Sequence, residues 1–124
     1  MSAISATKEI LNVLNGNEVF FTKYGEKIFP LIAENSTTFP FIVVERNGIN
    51  PVYSKQHTYH DNVAITINVV SKSYAESVEI AEDVRNILND KKNHFFSLIR
   101  LTNVTENYAD DAYTQTLSFD AIIK

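Results

Sequence analysis

The residues best equipped for chemistry lie in one polar stretch near the middle of the chain. His57 and His60 stand three apart, with Tyr59 and Asp61 beside them. On a helix that spacing would aim two imidazoles at one cation. Here the context is a loop, and no third ligand falls in register, so the expectation is exposed loop histidines. Asp110-Asp111 offers two carboxylates, but neighbours in a turn diverge, and such side chains commonly bond local backbone N–H groups. Glu45-Arg46, at a strand end, reads as a surface ion pair. The chain holds no P-loop, no Gly-x-Gly-x-x-Gly, no nucleophile elbow and no His-Glu-x-x-His. With 3 glycines there is little material for a phosphate-cradling loop, and without cysteine there are neither disulfides nor thiolate metal sites. The sequence therefore predicts a protein that is not an enzyme and uses no cofactor and no metal.

The aromatic residues carry more information. Phe29, Phe39, Phe41, Tyr53, Tyr59, Phe95, Phe96, Tyr108 and Tyr113 fall at strand ends and in loops as well as inside strands. Some fill the core, and a surplus in loops suits a contact surface, where Tyr and Phe are favoured anchors. The segment from Arg46 to Asp61 is long for a hairpin loop and short of aliphatic residues. Loops of that length in a compact domain are usually functional or mobile. Tyr53, Lys55, His57, Tyr59 and His60 are its candidate oligomer or partner contacts.

The elements that must position these residues follow from periodicity. Asn62 to Val70 alternates, with Val63, Ile65, Ile67 and Val69 on one side, as a half-buried strand does. The pattern breaks at Ser71-Lys72-Ser73, and Ser73 and Glu76 have capping-box spacing. A helix follows to Asp90, with Tyr74, Val78, Ile80, Ala81, Val84, Ile87 and Leu88 inward and Glu76, Glu79, Glu82, Asp83 and Asn86 outward. An earlier helix spans Ser2 to Asn15, capped by Ser2 and stopped at Asn15-Gly16, where both residues tolerate the left-handed conformation. Asn17 to Tyr24 fits a helical turn or an edge strand. Lys27 to Ala33 reads as a strand in which Pro30 implies an edge position or an irregularity. Phe41 to Glu45 is a β-branched strand, broken at Asn47-Gly48 and Pro51. Phe95 to Asn107 reads as a bent strand, Tyr108 to Ala112 as a turn, and Tyr113 to Ile123 as a last alternating strand. The order α-β-β-β-α-β-β gives an α+β fold: one domain over residues 1–124, with a mixed, mostly antiparallel sheet of about five strands and two helices packed on one face.

The totals set limits. At 124 residues the chain is the size of one domain with one core. A net charge of −4 argues against a general nucleic-acid binder. No apolar run approaches the ~20 residues of a spanning helix, and the N-terminus has no secretory apolar region. Two sequons, Asn35-Ser36-Thr37 and Asn103-Val104-Thr105, read as chance matches in that setting.

The order of features resembles the phage tail-completion proteins, or tail terminators. The matching pieces are Gly25-Glu26-Lys27-Ile28-Phe29-Pro30-Leu31, Phe39-Pro40-Phe41-Ile42-Val43-Val44 and the strand Val63 to Val70 running into Ser71-Lys72-Ser73-Tyr74-Ala75-Glu76-Ser77. The closing strand Tyr113 to Ile123 matches as well, whereas Arg46 to Asp61 matches least. The resemblance implies a structural phage or prophage protein of the virion tail, assembled in the host cytoplasm. It implies a homo-oligomeric ring, commonly a hexamer, that caps the tail tube, ends tube polymerisation and provides the head–tail joining surface. Its partners would be the tail tube protein and a head-completion or connector protein, with no specific nucleic-acid binding and no membrane. A ring needs a heterologous interface that closes on itself, and an acidic surface would let DNA pass without adhering. The alternative is a small non-catalytic binding or regulatory module working through residues 46–61.

Overall fold

The computed structural model describes residues 2–34, 37–53 and 60–124. Ser2 caps a short 3-10 turn, its side chain accepting from Ile4 N, and this leads into helix α1, Ala6–Asn15. Ile10 and Leu14 on α1 are fully buried. The expected stop at Gly16 is present, but not through a left-handed residue: Gly16 has φ −74°. A side chain there would sit 3.1 Å from Asn12 O, so closeness to the last turn, not positive φ, favours glycine.

The ambiguous stretch after it is a third helix, α2, Glu18–Tyr24, which the order above omits. Asn17 caps it by accepting from Phe20 N at 3.1 Å. That bond satisfies one of the donors a helix start leaves orphaned, which decides for helix over edge strand. Phe20 is buried and meets Tyr24 edge-on at 5.1 Å.

Five strands form one sheet in the order β1-β2-β3-β5-β4. Strand β1, Ile28–Pro30, is short and runs parallel to β2, Phe41–Val52. The remaining pairs, β2 with β3 (His60–Ser71), β3 with β5 (Ala112–Ile123) and β5 with β4 (Phe96–Ala109), are antiparallel. Pro30 sits on the outer strand, where a missing N–H costs no ladder bond.

Helix α3, Tyr74–Leu88, crosses between β3 and β4. Ser73 caps it as expected, its Oγ accepting from Glu76 N at 3.3 Å. The return arm differs from a simple capping box. The Glu76 carboxylate accepts from Ser71 Oγ at 2.6 Å, and Ser71 Oγ in turn accepts from Ser73 N at 3.1 Å. Ser71, the fully buried last residue of β3, thus welds strand to helix. Ile80, Ala81, Val84 and Leu88 face the core, joined by Ser77, while Tyr74 lies exposed.

At the far end Asn89 Oδ1 accepts from Leu101 N at 2.9 Å, beside a β4 bulge between Leu101 and Asn103. Asn93 Oδ1 accepts from both Phe95 N and Phe96 N, and both rings are buried, 4.9 Å apart. The core lies between the helices and one sheet face, on Ile42, Val44, Ile65, Ile67, Val69, Leu117, Phe119, Ala121 and Ile123. The opposite face is polar and half-buried. One row across it runs Val43, Asn68, Thr116, Thr105, and the next Glu45, Thr66, Ser118, Asn103. Thr116 Oγ1 donates to Asn68 Oδ1 at 2.7 Å, and Asn47 Nδ2 donates to Thr66 Oγ1.

Candidate interaction surfaces

The segment expected to be a loop from Arg46 to Asp61 is mostly sheet. Strand β2 continues to Val52, and β3 begins at His60, with Val52 opposite His60 and Ile49 opposite Val63. Asn47-Gly48 does not end the strand; the register slips there between Arg46 and Gly48. A bulge of this kind absorbs one residue and lets pairing resume. Pro51 is tolerated near the exposed end of a hairpin arm. The expected Glu45-Arg46 ion pair does not form, because neighbours on a strand point to opposite faces. Arg46 instead donates to Ile4 O at 2.8 Å, tying β2 to the turn before α1.

Of the candidate contacts, Tyr53 is 76% exposed and His60 is exposed at the base of the hairpin tip. Lys55, His57 and Tyr59 lie outside the described residues, so the His57–His60 spacing does too. Among the described residues no three His, Asp or Glu side chains converge as a metal site would require.

A second hairpin leaves the opposite end of the sheet. Its turn, Asp110-Asp111, has φ 53° and 59°, the doubly left-handed geometry that matches strand twist in a two-residue loop. Tyr108 and Tyr113, flanking it, lie 4.8 Å apart, and Tyr74 meets Tyr113 edge-on at 5.5 Å. Tyr74 Oη donates to Glu106 Oε1 at 2.8 Å, and Gln115 Nε2 reaches Glu106 Oε1 and Ser77 Oγ, each at 3.3 Å. The Glu106 hydrogen bond and charge hold the Tyr74 phenol above its usual pKa. Sequence reasoning assigned Tyr74 to the buried arc and gave Ser77 no role. The buried Gln115 on β5, two strand positions from Tyr113, was the available signal, since a buried amide needs polar partners.

A cleft of about 580 Å³ lies between α1 and the end of α3. Glu9 and His94 meet across it at 3.6 Å, with Asn12, Asn86 and Asn93 around them. Lys91 also lines it, with Val13 and Ile87 as its apolar part. Among the described residues no helix is long and apolar enough to cross a membrane.

These features define a helix-backed five-stranded sheet with hairpins at both ends. No protein-family model and no curated protein sequence matches the chain. The fold has a counterpart in a solved structure, "Virion of native gene transfer agent (GTA) particle", with TM-score 0.81 and 11% identity. The similarity covers 99% of this chain and 98% of that one. At so low an identity it shows a shared fold, end to end.

Proposed function

We propose that this chain is a structural protein of a phage or phage-like virion, and that it forms the ring that caps the tail tube. One observation carries the reading: a chain of a virion particle has this fold over nearly its whole length. The resemblance to tail terminators in the Ile-Phe-Pro, Phe-Pro-Phe-Ile-Val and Ser-Lys-Ser-Tyr segments supports the narrower role. Ring formation ends tube polymerisation, and the free face of the ring joins the tail to the head. Partners are further copies of the chain, the tail tube protein and a head-completion protein. The protein resides in the virion tail after assembly in the host cytoplasm. Tyr53, Lys55, His57, Tyr59 and His60 remain candidate contacts.

Light scattering and electron microscopy of the purified chain test this. The expected result is an assembly of several 14.1 kDa subunits with a central opening. A monomer at every concentration would favour the smaller binding module.

A further inference from the structure

The core face of the sheet runs past the helix that covers it. Alternation puts Glu106 and Tyr108 of β4 on the same face as Gln115 and Tyr113 of β5, each opposite its ladder partner. The first turn of α3 meets that face through Ser77 at Gln115 and through Tyr74 at Tyr113. What stands there is not aliphatic filling but three tyrosines around one carboxylate. Tyr74 is 48% and Tyr108 56% exposed. Between them opens a pocket of about 410 Å³, lined by Tyr74, Glu106, Asn107, Tyr108 and Tyr113. Its size falls in the range of ligand sites, and no basic residue lines it.

The carboxylate is held in place. Tyr74 Oη donates to Glu106 Oε1 at 2.8 Å, and Gln115 Nε2, from a side chain only 5% exposed, donates to the same oxygen at 3.3 Å. An ionised carboxylate can accept at about four positions, and among the described residues Oε2 accepts no bond. The ion pair found among those residues joins Glu9 and His94, so Glu106 has no cation of its own there. The rings around it are set at angles, 72° between Tyr74 and Tyr113 and 53° between Tyr108 and Tyr113. Rings so placed cannot hide their faces on one another, and the face is the negative side of an aromatic ring.

A fixed carboxylate with a free oxygen, walled by tyrosine rings, is complementary to a flat cation. A guanidinium meets both demands, because it forks onto a carboxylate and stacks on aromatic faces. An ammonium is compact and strongly hydrated and meets only the first. We propose that this pocket takes an arginine side chain of a partner protein, its guanidinium on Glu106 and against the Tyr108 and Tyr113 rings. A protein is the source because Asp111, whose Oδ1 accepts from Tyr108 Oη at 3.4 Å, sets a second carboxylate beside the rings. Free arginine would bring its own carboxylate against that field, whereas arginine within a chain brings only positive charge.

The probe is N-acetyl-arginine amide, titrated into the intact chain and followed by NMR of the tyrosine rings. The Tyr108 and Tyr113 signals should shift saturably, and those of Tyr53, at the opposite end of the sheet, should not. Glu106→Gln removes the charge at nearly constant size, and Tyr108→Ala removes one wall; circular dichroism verifies that each keeps its fold. Each should lose the saturable shift over the same concentration range. No saturable shift in the intact chain would overturn the inference. So would an equal response to N-acetyl-lysine amide or to matched sodium chloride, or a shift that the folded variants retain. The titration reads the pocket directly, whether the chain is a monomer or a ring.

Discussion

Two aliphatic truncations should separate what holds the fold from what the fold presents. Leu88, at the end of α3, is 0% exposed, whereas Ile32, after β1, is 73% exposed. Leu88→Ala removes three carbons from a closed site. At about 0.8 kcal/mol per buried methylene the transfer loss is roughly 2.4 kcal/mol. The unfilled cavity raises the expected total to about 3–4 kcal/mol, within the range seen for core leucines. With a urea dependence of about 1–3 kcal/mol/M, the unfolding midpoint should fall by about 1–4 M. Ile32→Ala removes three carbons that already face water, so its stability change should stay within about 0.5 kcal/mol. The assay is urea unfolding followed by circular dichroism, with both variants in parallel. A mild Leu88→Ala would refute the packing of α3 on the sheet. An Ile32→Ala as damaging as Leu88→Ala would mean that Ile32 belongs to the core.

Ser73→Ala should cost about 1 kcal/mol by loss of the α3 cap, and Ser71→Ala at least as much, because Ser71 Oγ bridges Ser73 N and the Glu76 carboxylate; the same unfolding assay reads both. Replacing residues 53–59 by Asn-Gly should keep the fold, while removing 46–61 should destabilise it by cutting the pairs from Arg46–Ile65 to Val52–His60. Circular dichroism decides the first point, and assembly of the shorter hairpin shows whether the tip carries a contact. Tyr74 and Tyr24 are both held above the usual phenol pKa, Tyr74 by the Glu106 hydrogen bond and charge, Tyr24 by burial and then by Glu79, Asp83 and Glu76. A raised folded value means the neutral phenol is the favoured form, so its contribution is full below the unfolded value of about 10 and is lost as pH climbs through the folded value. The urea midpoint should therefore drop as pH rises above about 10, and the Tyr24→Phe, Tyr74→Phe double variant should flatten that drop.

Much of the fold was legible because periodicity reports burial. Val63, Ile65, Ile67 and Val69 alternate in the sequence and face the core, and the Ser73 cap lies where the pattern changes. Strand order was not legible, because it depends on which β-branched strands meet, and Phe41 to Glu45 or Tyr113 to Ile123 suits several neighbours. The polar hairpin arms were misread for a related reason. Arg46 to Val52 and His60 to Asn62 stay paired through ladder hydrogen bonds, which any residue but proline can make, so composition alone suggested a loop. A bulge at Asn47-Gly48 looks like a strand end until its partner is known. The surfaces were least legible. Leu31-Ile32 reads as a strand continuing from Pro30 and is in fact the turn that leaves it. Tyr74 sits on the apolar arc of the α3 wheel, but lies past the rim of the sheet, where Glu106 becomes its partner.

The central claim is that this chain ends the growth of a tail tube and joins it to a head. Deleting its gene from a phage or prophage that encodes it, and measuring tubes in the lysate by electron microscopy, tests that most directly. The account predicts tubes of unregulated length without attached heads, restored to uniform, head-bearing tails by the intact chain supplied from a plasmid. Tails of normal length joined to filled heads in the deletion strain would contradict it.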